Sequence, residues 1–148
     1  LTGTFIDTNI LIDIATSSPA WQRWSSRQLD LALVLGPALI NDIVFAECSI
    51  RLPDLETAQR FLKGAEVTST PTPPIALFLA GKVFQRYRNS GGTKNFVLPD
   101  FFIGAHAFVA GIPLLTRDTR RYKTYFPNLN LISPDMPLSK AAPDHPGE

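Results

Sequence analysis

The chain has 148 residues, 45% hydrophobic and 18% charged, a balance that suits one globular domain and excludes a disordered chain. With 14 basic against 13 acidic residues the formal charge is only +1, which excludes the strong positive field of a protein that coats nucleic acid; such a partner has to be gripped locally. A single cysteine, Cys48, excludes an intramolecular disulfide and any cysteine-rich metal cluster. No apolar run reaches the roughly 18 residues of a membrane helix. The opening segment has neither the basic region nor the cleavage pattern of a signal peptide, so a cytoplasmic location without membrane association is expected.

In chain order, residues 4–6 read as a short buried strand that ends at Asp7, and a helix follows from about Asn9. Ser17, Ser18 and Pro19 give a start signal for a second helix carrying Trp21, Trp24 and Arg27. The compact apolar run over residues 31–35, closed by Gly36 and Pro37, predicts the second strand. A helix is expected over residues 39–51, with Asn41 or Asp42 near its start and Pro53 as its stop. Another covers residues 55–63, with Gly64 as its C-terminal cap. The Thr- and Pro-rich residues 67–74 are extended or loop. Leu79, Val83, Phe84 and Tyr87 form a helical stripe within residues 75–88, ended by a turn at Ser90, Gly91 and Gly92.

Residues 100–110 are almost wholly apolar, broken by Asp100, Gly104 and His106, which predicts a helix buried on most sides. Gly104, Ala105 and Ala107 leave room for another backbone to approach. Gly111 ends that helix, and residues 112–115 and 130–132 read as the last strands. Strands alternating with helices imply an α/β fold, a parallel sheet wrapped by helices. One domain is expected over residues 1–134, with residues 135–148 as a proline-rich, irregular extension.

Four acids interrupt runs where a charge is unwelcome: Asp7, Glu47, Asp100 and Asp118. Asp7 follows a strand, where ligands of open α/β sheets bind, although an N-cap is an equal reading. Glu47 shares a helix face with Ile43 and Ile50, a place where a glutamate is rarely buried unless paired; the alternative is a carboxylate at the edge of the stripe, reaching water. Asp100 opens the apolar helix and Asp118 lies just past a strand, so helix-end capping explains each alone. Capping does not explain why two acids follow strand ends while two more are set into apolar helices. Two carboxylates about 5 Å apart repel by roughly 3 kcal/mol at an effective dielectric near 20, so a shared site calls for a cation.

Arg117, Arg120, Arg121 and Lys123 cluster beside Asp118, and the three arginines are candidates for holding flanking phosphates, with surface salt bridges as the alternative. Trp21 and Trp24 offer a surface for base stacking, although a core or partner-facing stripe is the simpler reading. His106 reads as a packed, hydrogen-bonded core histidine, and Asp13 is a minor site candidate.

Taken in order, residues 5–13, 41–47, 99–107 and 115–122, followed by Tyr125, Phe126 and Pro127, resemble the PIN-domain ribonucleases, and specifically the VapC toxins of bacterial toxin–antitoxin pairs. The resemblance implies a three-layer α/β/α fold with a central, mainly parallel sheet. It matches Asp7, Glu47, Asp100 and Asp118 to the family's acidic quartet, and Thr8, Asn9 and Thr116 to the polar residues beside the metal. Asp7, Asp100 and Asp118 are then the expected metal ligands, with Glu47 orienting the attacking water, Thr116 bonding a ligand or the phosphate, and Thr8 and Asn9 near substrate. Some relatives carry a further acid where this chain has Thr119, Arg120 and Arg121, which implies four carboxylates. Carboxylates without imidazole or thiolate suit Mg²⁺ or Mn²⁺. The resemblance implies RNA as substrate, cut to a 3′-hydroxyl and a 5′-phosphate, an antitoxin seated against the early helices, and a homodimer. Two other readings compete: a haloacid-dehalogenase-like phosphatase, weakened because Asn9 stands where a second Asp is usual, and a catalytically silent protein-binding module.

Overall fold

A computed structural model describes residues 2–135; the proline-rich extension lies, beyond Asp135, outside the described residues. Among the described residues there are five strands: β1 (Thr4–Ile6), β2 (Ala38–Ile40), β3 (Val67–Ser69), β4 (Leu114–Leu115) and β5 (Leu131–Ile132). They alternate with α1 (Thr8–Ala15), α2 (Gln22–Leu35), α3 (Asp42–Ser49), α4 (Leu55–Gly64), α5 (Pro74–Asn89), α6 (Pro99–Ala110) and α7 (Arg120–Tyr125). All strand pairs are parallel, in the order β3-β2-β1-β4-β5, with Phe5 in register with Leu39 on one side and Leu114 on the other. The result is a parallel α/β sheet flanked by helices, as expected. Parallel strands require crossovers, and the helices that provide them bury the sheet. Phe5, Ile6, Ile40, Leu114 and Leu115 are accordingly fully buried, packed with Phe101 and Ile103 of α6.

The topology determines where a ligand can sit. From β1 the chain adds β2 and β3 to one side, then crosses back to place β4 and β5 on the other. The connections therefore diverge between β1 and β4, leaving a crevice beyond their carboxyl ends. Asp7 follows β1 there, with its backbone N–H donating to Leu115 O at 2.9 Å, and Thr116 follows β4. Local chemistry starts the helices around this edge. Asp7 caps α1, accepting from Thr8 N at 2.7 Å, and Asn41 caps α3, accepting from Ile43 N and Val44 N at 3.0 and 3.1 Å. Pro99 opens α6 without a lost hydrogen bond, and Gly111, at φ 69°, closes it in the left-handed region.

Two expectations are corrected. Residues 31–35 are not a strand but the last turns of α2, whose buried face is Ser25, Gln28, Leu29 and Ala32, at helical spacing. Val34 and Leu35 point outward, and the strand lies three residues later in β2. Residues 39 and 40 consequently belong to β2, and α3 begins only at Asp42. The short helix α7 was not anticipated. No helix among the described residues is long and apolar enough to cross a membrane.

Gly104 does allow a close approach, by the ring of Phe126 rather than by a backbone. A Cβ at position 104 would stand 2.5 Å from that ring, and Phe126 is itself buried. Gly104→Ala is expected to lower stability by roughly 1–3 kcal/mol through overpacking. Urea unfolding checks this; an unchanged midpoint would show that α6 and α7 have slack between them.

Candidate active site

Asp7 is the centre of the crevice. It is 4% exposed. Its Oδ1 accepts from Thr8 N at 2.7 Å; its Oδ2 accepts from Thr116 Oγ1 at 2.8 Å, from Tyr122 OH at 3.0 Å and, more distantly, from Asn9 Nδ2 at 3.4 Å. Burial, with a further push from the negative charge of Asp100, raises its carboxyl to about 7 against these hydrogen bonds. Glu47, half-buried on α3, accepts from Thr8 Oγ1 at 2.6 Å, and its pKa is raised by burial and, less strongly, by Asp100. The Tyr122 hydroxyl is pushed up by burial first, and then by the charges of Asp7, Asp100 and Glu47. Three acids separated along the chain therefore act on one another in space.

Asp118 is joined to this group through the backbone. Thr116 Oγ1 accepts from Asp118 N at 3.1 Å and donates to Asp7. The Asp118 carboxylate itself is more than half exposed and lies 3.4 Å from Arg120, which holds its pKa low. Arg121 stands 3.3 Å from Asp100. Asp100, Asp118, Arg120 and Arg121 line a cavity of about 290 Å³ at the mouth of the crevice.

Among the described residues no three His, Cys, Asp or Glu side chains stand together as a ready-made ligand set. Asp100 and Asp118 are each turned to an arginine instead. The donor chemistry nevertheless fits a hard divalent cation, since the coupled groups offer carboxylate oxygens and neither imidazole nor thiolate. Burial first, and then the charge of Asp100, raises the Asp7 and Glu47 carboxyls, a cost that a cation would relieve. Asp7, Asp100 and Asp118 are the residues that would hold it.

The other expected site residues take different places. Thr8 and Asn9 bond to the acids and their partners: Thr8 to Glu47 and Asp7, Asn9 to Asp7 Oδ2 at 3.4 Å and to Thr116 Oγ1 at 3.2 Å. Arg117 points away from the crevice mouth. Its Nε and Nη2 donate to the buried Asp13 at 2.8 and 2.9 Å, and its guanidinium lies 5.5 Å from the Trp21 ring centroid. Ser25 donates to the same Asp13 carboxylate at 2.7 Å. Asp13 is thus a counter-ion that ties α1, α2 and the loop after β4 together. Trp21 meets Trp24 edge-on, with centroids 5.9 Å apart. His106 is buried, accepts at Nδ1 from Asn41 Nδ2 at 3.2 Å, and packs on Phe5, in keeping with a core histidine. Tyr122 was missed. Its signal was a hydroxyl-bearing aromatic shortly after Asp118, readable only once α7 is known to turn it inward.

Two outcomes are expected. Asp13→Ala leaves a part-buried Arg117 without its counter-ion, and a loss of roughly 2–3 kcal/mol in chemical denaturation is expected, the low end because Arg117 reaches solvent. For Asp7, the folded chain holds a proton that the unfolded chain, at 3.8, has released, so stability declines as pH rises from about 4 through about 7. Asp7→Asn removes that decline and raises the thermal midpoint at pH 8 by several degrees, equivalent to roughly 2 kcal/mol. A parallel pH profile for the two proteins would contradict the assignment.

Comparison with known proteins agrees with this geometry. The sequence profile of the PIN domain matches residues 4–127. No curated protein matches the chain. Among solved structures, VapBC2 from Rickettsia felis bound to a DNA fragment from its promoter is similar at TM-score 0.70 and 21% identity, covering 89% of this chain and 98% of that one. DNA-bound VapBC from Salmonella typhimurium gives TM-score 0.66 and 17% identity over 90% of this chain and 98% of that one. VapBC-1 from nontypeable Haemophilus influenzae gives TM-score 0.66 and 16% identity over 88% and 96%. At these identities the likenesses establish a common fold. With the profile spanning most of its length, the chain belongs to the PIN domain family.

Proposed function

We propose that this chain is a Mg²⁺-dependent endoribonuclease, Mn²⁺ being an alternative ion, that serves as the toxin of a toxin–antitoxin pair in the cytoplasm. The observation that carries the reading is the Asp7 carboxylate at the sheet crevice, destabilised first by burial and then by Asp100, and joined to Glu47 through Thr8. Membership of the PIN family supports it, as do structural neighbours that include VapBC complexes and a toxin–antitoxin complex from Klebsiella pneumoniae. The same membership removes the haloacid-dehalogenase reading.

A bound divalent ion supplies charge neutralisation at the phosphodiester and lowers the pKa of water. The chain's own residues do the remainder. Glu47, with its proton affinity raised and its Oε1 fixed by Thr8, is suited to orient the attacking water and draw its proton. Arg120 and Arg121, exposed at the mouth, are placed to pair with phosphates on either side of the scissile bond. Thr116 holds Asp7 and the loop of Asp118 in fixed relation. The water attacks phosphorus in line, the P–O3′ bond breaks as the new P–O bond forms, and the departing oxygen takes a proton from solvent, giving a 3′-hydroxyl and a 5′-phosphate.

The partner is proposed to be an antitoxin that covers the acidic mouth with a basic segment. Large apolar side chains left exposed on α2 and around α3 and α4, namely Val34, Leu35, Ile50 and Leu55, are of the kind a bound protein buries. A homodimer is proposed as the assembly.

The test is incubation of the purified chain with cellular RNA, with Mg²⁺ and with chelator. Cleavage in Mg²⁺ giving 5′-phosphate ends, lost on chelation and reduced at least about 100-fold by Asp7→Asn or Asp100→Asn in a folded protein, is the expected result. Cleavage indifferent to chelator and to both substitutions would refute it.

A further inference from the structure

Three consecutive residues of α7 each reach a different acid: Arg120 meets Asp118, Arg121 meets Asp100, and Tyr122 meets Asp7. The first two are surface contacts. The third is not, since Tyr122 is 1% exposed. Resting on the cation reading above, we propose that Tyr122 is a positioning residue that commits Oδ2 of Asp7 to the protein and leaves Oδ1 as the single metal-binding oxygen of that carboxylate.

The argument follows from counting lone pairs. Thr116 Oγ1 accepts from Asp118 N at 3.1 Å and from Asn9 Nδ2 at 3.2 Å, which fills its two acceptor positions. Its one proton goes to Asp7 Oδ2 at 2.8 Å in preference to Asp118 O at 3.2 Å. Tyr122 also has one proton, and it too points at Oδ2, at 3.0 Å. These two hydroxyl donors occupy both lone pairs of Oδ2, and the Asn9 amide approaches the same oxygen at the longer distance of 3.4 Å. Oδ1 accepts only from Thr8 N at 2.7 Å and retains one lone pair. The donors come from three different elements: α1, the loop after β4, and α7. The carboxylate cannot rotate or chelate through both oxygens without breaking a buried hydroxyl contact. Asp7 is thereby preorganised as a one-oxygen ligand, with Tyr122 as the outer partner that sets its plane.

Tyr122→Phe tests this with minimal change of shape. The readout is Mn²⁺ affinity, measured from the free-ion signal in electron paramagnetic resonance, alongside the thermal midpoint without metal and the kcat for RNA. Mn²⁺ binding about 10-fold weaker, with kcat reduced and the metal-free midpoint within about 2 °C of the parent, supports the assignment. Affinity and kcat within about twofold of the parent overturn it while leaving the nuclease reading intact. A fall in the metal-free midpoint large enough to account for the weaker binding makes Tyr122 merely structural, and also overturns it. If the parent chain binds no Mn²⁺, the proposed function fails first and this inference with it.

Discussion

One buried carboxylate organises this molecule. Asp7 must leave the central strand at the point where the sheet's connections diverge, and there it meets Asp100 across the crevice. A carboxylate in that position is unfavourable by itself. It is accommodated because a backbone N–H and two hydroxyls converge on it from separate elements. The same residue caps α1, so the group that starts a helix is also the group that carries the proposed chemistry. Capping α1 does not exclude the ligation proposed for it.

The loop that carries Thr116 and Asp118 is held on its other side by a different kind of contact. Arg117, between those two residues, is anchored to Asp13 and backed by Trp21, while its backbone N–H donates to Asn9 Oδ1 at 3.3 Å. A loop residue flanked by two site residues is thus tied to α1, the helix that Asp7 itself begins. The sequence cluster of arginines divides by role: Arg117 faces inward as a brace, whereas Arg120 and Arg121 remain at the surface beside the acids. Adjacent charges in sequence have opposite fates because α7 begins between them.

The parts of the fold legible in the sequence were those with an unambiguous period or stop. Residues 4–6 ended by an acid, the stripe of α5, and the apolar α6 closed by Gly111 all stood out. The C-terminal half of α2 did not, because its buried face includes Ser25 and Gln28 while its surface carries Val34 and Leu35. Polarity pointed the wrong way on both faces. β2 escaped because three residues are too few to show alternation, and α7 because six residues bury only Tyr122. In the site, the acids were visible as charges in apolar company. The Asp13–Arg117 pair, 104 residues apart, and the inward hydroxyl of Tyr122 depend on tertiary placement that no local pattern encodes.

The claim beneath this account is that Asp7 and Asp100 share one electrostatic environment. A carbon NMR titration of the Asp7 carboxyl, in the chain without added metal, measures it directly. The account predicts a midpoint of about 7, set first by burial, that falls part of the way toward the ordinary carboxylate range when Asp100 is replaced by Asn. A midpoint near 3.8 that ignores Asp100 would contradict it.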